Sequence, residues 1–159
     1  MSAYFSSLVP KYAEYARENP DYHLMFDFYA ALSHALALKC RWHELAADTV
    51  RSGDREMAAE LAEDLGGVID AMDTLRISWR TLWEYTNKPH GFEVIEMRLG
   101  GVMARLATAA EKMAAFAEGS VADIPELSEP SLIYKSNPDH TFSWTNMMTE
   151  ISTPNKIDW

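Results

Sequence analysis

FEVIEMRLGGVMARLATAAEKMAAFAE, residues 92–118, carries Phe92, Ile95, Leu99, Val102, Leu106, Ala109, Met113 and Phe116 at alternating steps of three and four. That period keeps one face of a 3.6-residue helix apolar along its whole length. The stretch therefore reads as a helix burying a continuous seam, with Gly119 as its C-terminal stop. Working outward toward the N-terminus, residues 55–85 repeat the pattern: Met57, Leu61, Leu65, Val68, Met72, Leu75, Trp79 and Leu82 follow at steps of 4, 4, 3, 4, 3, 4 and 3. Two long seams of this kind bury each other by helix-on-helix packing. Gly66-Gly67 interrupts the second seam at about 1 kcal/mol per glycine relative to alanine, which predicts a close backbone approach or a kink there.

Residues 22–50 give a third long helix, with Met25, Tyr29, Leu32 and Leu36 on one face. Ser52-Gly53-Asp54 separates it from the next: Gly53 suits a left-handed C-terminal cap and Asp54 an N-cap. Residues 3–18 form a shorter helix, predicted to break or restart at Pro10 because proline lacks the donor and crowds the preceding turn. Asn19-Pro20-Asp21 ends it and offers a cap for the following helix. On the C-terminal side, Ile124-Pro125-Glu126-Leu127-Ser128-Glu129 predicts a short helical turn with Pro125 at its first position and Asp123 near the cap. Beyond Pro130 the composition turns to Ser, Asn, Thr and Pro, with Tyr134, Phe142, Trp144, Met147, Met148 and Trp159 scattered through it. The expectation is an all-α protein: a bundle of three long antiparallel helices, a shorter N-terminal helix and an irregular C-terminal tail. Residues 1–134 form the bundle domain, and residues 135–159 an extended tail packed on it through its aromatics.

Composition bounds the function. At 159 residues and 48% hydrophobic, the chain is one domain with enough apolar material for a core. The 24 Asp and Glu against 14 Lys and Arg give a formal net charge of -10. Such a surface repels phosphate backbones and anionic headgroups, so nucleic acid and membrane are not expected partners. Cys40 stands alone, which fits a reducing compartment. With no signal-peptide pattern at Met1-Ser2-Ala3-Tyr4-Phe5 and no apolar run near the roughly 20 residues of a membrane span, the expected location is the cytoplasm.

The chemistry-bearing motifs fail one by one. His43-Glu44 starts like a zinc-protease HExxH helix, but Ala47 stands where the second histidine ligand belongs. A di-iron bundle needs Glu-x-x-His, yet the residues three before His23, His34, His43, His90 and His140 are Pro20, Ala31, Cys40, Asn87 and Asn137. No G-x-S-x-G elbow occurs, and Cys40 in an apolar run reads as a core thiol. Glu60, Glu63 and Asp64 read as a solvated helix face. Gly100-Gly101 has no strand before it and is no phosphate loop. The reading therefore assigns no catalytic residue, no metal site and no cofactor.

What stands out is residues 79–106, WRTLWEYTNKPHGFEVIEMRLGGVMARL. On a helix, Arg98, Gly101 and Arg105 fall in one row beside the apolar stripe, with Val94 above them. A glycine between two arginines admits a neighbouring backbone, and guanidinium groups on either side donate to carbonyls or carboxylates. Two readings remain open. One is an internal buried ion-pair network with Glu93 or Glu96 among the partners. The other is a docking surface for a further domain or subunit, for which Asn87, Lys88, His90, Glu93, Arg98 and Arg105 are the candidate contact residues.

The NKPHGFEV and EMRLGG cores of this stretch resemble the C-terminal all-helical domain of bacterial glycoside hydrolase family 20 β-N-acetylhexosaminidases. Leu38-Lys39 and Ser52-Gly53-Asp54 upstream, and Glu118-Gly119 and residues 124–130 downstream, extend the similarity to roughly residues 22–134. His90 departs from the phenylalanine the family commonly has after the NKP proline. The resemblance implies a parent enzyme whose barrel carries an Asp-Glu pair and uses the substrate's own acetamido group as nucleophile. No Asp of this chain is followed by Glu; the nearest match, Glu63-Asp64, is reversed. The function expected is thus a non-catalytic accessory domain that packs on the catalytic barrel or mediates dimerisation, as a homo-oligomer. The alternative is a free-standing helical protein-interaction domain that docks partners through a Trp and Met surface. Glycosidase activity of the chain by itself is the least favoured reading.

Overall fold

The computed structural model describes residues 1–128. Helix α1 spans Ser2–Glu18, α2 His23–Ser52, α3 Arg55–Thr86, α4 Phe92–Ala117 and α5 Pro125–Ser128, with a single 3-10 turn at Pro20–Tyr22 between α1 and α2. The fold is all-α, and no strand occurs among the described residues. The tail expected over residues 135–159 lies outside them.

Side-chain contacts fix the directions of the long helices. Trp42 and Phe28 of α2 meet Leu61 and Trp79 of α3, the former by an indole N–H donated to the Leu61 carbonyl at 2.9 Å, the latter with ring centroids 5.2 Å apart. Ascending numbers on one helix thus meet descending numbers on the next, so α2 and α3 are antiparallel. The same holds for α3 and α4, where Arg76 reaches Glu96 and Arg55 lies over Phe116. It holds again for α1 and α2, where the Ser2 hydroxyl donates to the Ala37 carbonyl and Tyr12 stacks on Tyr29.

The core lies where α2, α3 and α4 meet, in two continuous halves. One joins Ala35, Leu65, Val68, Ala71, Met72, Leu75 and Leu106; the other joins Ala46, Val50, Ala58, Leu61, Met113, Phe116 and Ile124. Trp42 packs against both. The seam of α3 is buried from Leu61 to Leu75, while α4 buries Phe92, Leu106, Met113 and Phe116. Helix α2 is different. Its buried positions are small or β-branched (Ser33, Ala35, Ala37, Ala46, Thr49 and Val50), and Tyr29 of the expected face is 40% exposed. Packed between α1 and α3, α2 uses small side chains to let both neighbours approach closely.

Two local expectations are corrected. Helix α1 runs unbroken through Pro10: Pro10 and Ser6, whose carbonyl loses its partner, are both exposed, so water satisfies the acceptor. Contacts to α2 on both sides of the proline hold the helix together. Helix α3 is likewise uninterrupted at Gly66-Gly67, which are exposed, and a Cβ on either would meet nothing within 4 Å. Nothing in the described residues approaches the backbone there.

The ends of the helices follow from local chemistry. Past α2 the Gly53 N–H bonds the Val50 carbonyl and the Asp54 N–H the Thr49 carbonyl; past α4 the Gly119 N–H bonds Phe116 and the Ser120 N–H bonds Ala115. Both are Schellman closures that satisfy last-turn carbonyls. Asp54 caps α3 by accepting from the Met57 N–H at 3.0 Å. Asn19 closes α1 instead of opening α2, its side-chain amide donating to the Tyr15 carbonyl. At α5, Asp123 accepts from the Ser128 hydroxyl. No helix among the described residues is long and apolar enough to cross a membrane.

Candidate docking site

The α3–α4 connection and the outer edge of α4 hold all six candidate contact residues. Asn87 follows the last residue of α3; its backbone N–H bonds the Trp83 carbonyl at 2.7 Å and its side-chain amide donates to the Thr86 hydroxyl at 2.8 Å. The Trp83 indole N–H donates to the Lys88 carbonyl at 2.9 Å, and its ring lies 6.0 Å from that of Phe92. That clamp leaves the Lys88 side chain exposed. Gly91 then turns the chain into α4 at φ +102°, a region that side chains rarely adopt, and a Cβ there would stand 3.4 Å from the Trp83 ring.

Glu93 fastens the turn. Its carboxylate accepts from the Gly91 N–H at 2.7 Å, and His90 Nδ1 lies 3.8 Å away. Hydrogen bonds from its own backbone N–H and from Gly91, with His90 adding charge attraction, hold the Glu93 carboxyl below the usual carboxylate range. His90 itself projects outward, its side chain 86% exposed.

Arg98, Gly101 and Arg105 are all exposed. No carboxylate of the described residues comes within 4.0 Å of either arginine. The buried-network reading of this row is therefore overturned. Glu96 pairs with Arg76 at 3.2 Å, and Asp73 holds the same guanidinium at 2.8 Å. That pairing with Asp73 first, and with Glu96, raises the Arg76 pKa further. Arg76 is mostly covered between α3 and α4, whereas Arg98 and Arg105 sit one helix edge away. Gly101 has open space where a Cβ would stand.

Toward the C-terminal end the row meets a shallow groove of about 150 Å³, lined by Trp42, Arg105, Thr108, Lys112, Ile124 and Leu127 among others. Lys112 pairs with Glu126 across it. That contact first, then the backbone N–H of Glu126 itself, with a smaller pull from Arg105, lowers the Glu126 pKa.

Residues that the sequence did not single out hold this region in place. Arg55, at the start of α3, donates to the Phe116 and Val121 carbonyls and lies 3.7 Å over the Phe116 ring. It ties the end of α4 to the start of α3 across 61 residues, a distance that local spacing cannot signal. Of the Trp and Met surface in the alternative reading, Trp42, Trp79 and Trp83 are all half-buried, while Met1 and Met97 are exposed. Tyrosines form the exposed aromatics instead, Tyr4, Tyr15, Tyr22, Tyr29 and Tyr85 among them. Among the described residues no three His, Cys, Asp or Glu side chains converge as a metal site.

A family described as the Glycoside Hydrolase 20C C-terminal domain matches residues 1–146. The match takes in α1 and reaches past the described residues, so it extends beyond residues 22–134 at both ends. No curated protein matches the chain.

Proposed function

The chain belongs to the glycoside hydrolase 20C C-terminal domain family, and from that premise we propose that it is a non-catalytic accessory domain of a β-N-acetylhexosaminidase. It docks on the catalytic barrel of that enzyme through the 87–91 connection and the outer edge of α4. The barrel supplies the Asp-Glu pair and the substrate-assisted chemistry; this domain supplies a rigid surface. The observation that carries the reading is the exposed Arg98–Gly101–Arg105 row, unpaired among the described residues of an acidic chain. Exposed arginine beside a gap in the side-chain layer is the composition of a contact surface, since arginine is enriched at interfaces and lysine and glutamate are depleted.

Asn87 and Lys88 present the connection, Glu93 fixes its shape and His90 stands at its outermost point. The acidic surface disfavours nucleic acid and membrane partners, and the lone Cys40 supports a reducing compartment such as the cytoplasm.

The test is co-elution of the purified chain with the separately produced catalytic domain in size-exclusion chromatography. A one-to-one complex is expected. Independent elution of the two at micromolar concentrations would overturn the proposal.

A further inference from the structure

We draw no further inference here: the strongest candidate, the cleft of about 230 Å³ between α2 and α3 lined by Arg41, Trp42, Glu63 and Asp64 among others, is open at the surface with all three of these charged side chains exposed, and nothing in the structure shows what covers it.

Discussion

Glu93 folds back onto the Gly91 amide and so decides how the chain enters α4. Its carboxyl is held below the ordinary range by amide hydrogen bonds. A carboxylate with a depressed folded pKa adds stability that is fully present above its unfolded pKa of about 4.3 and disappears as pH falls through the lowered value. Glu93→Gln is therefore expected to lower the melting temperature at neutral pH, with the gap to wild type closing below pH of about 4. A difference that persists unchanged in acid would contradict this role. Asp54 is the matching residue at the start of α3, and its cap on the Met57 N–H predicts that Asp54→Ala loses about 1 kcal/mol in urea unfolding. Asp54 was legible in the sequence because a cap is a local signal. The partner of Glu96 was not: helical geometry places Arg98 on the same helix two residues away, but Arg76 arrives from α3, and only the packing of two seams brings it there.

Helices were the most legible level. The α3 and α4 seams have a three-and-four period, and the structure runs those helices over Arg55–Thr86 and Phe92–Ala117. Interruptions were read less well, because the same residue has different consequences inside and outside a contact. Pro10 does not break α1, since the orphaned carbonyl faces water. Gly66 and Gly67 do not mark a crossing, since both face solvent with open space beside them. Gly66→Ala and Gly67→Ala are each expected to stabilise the protein by up to about 1 kcal/mol, measured by urea unfolding. Destabilisation by either would show that something does occupy that face. Which residues of α2 are buried was also hidden, because a helix with neighbours on two sides has no single apolar stripe to display.

For the whole molecule, three long helices share one core, and its loss should be cooperative. Leu65 is completely buried between α2, α3 and α4, so Leu65→Ala is expected to lower stability by about 2–5 kcal/mol, whereas Arg98→Ala on the exposed edge should change it by less than about 0.5 kcal/mol. The candidate contact residues were legible as a cluster because NKPHGFEV and EMRLGG stand close together in sequence. Their exposure was not, because a row beside an apolar stripe is compatible with either burial or solvent until the neighbouring helices are in place. No Asp-Glu pair occurs in the chain, so the isolated protein is expected to leave a chromogenic N-acetyl-β-glucosaminide uncleaved; turnover that survives further purification would refute the accessory role. The docking claim meets its most direct test in hydrogen exchange followed by mass spectrometry, on the chain alone and with the catalytic domain present. Slower exchange is predicted over residues 87–105, with α1 unchanged. Protection confined to α1 and α2, or none along α4, would contradict it.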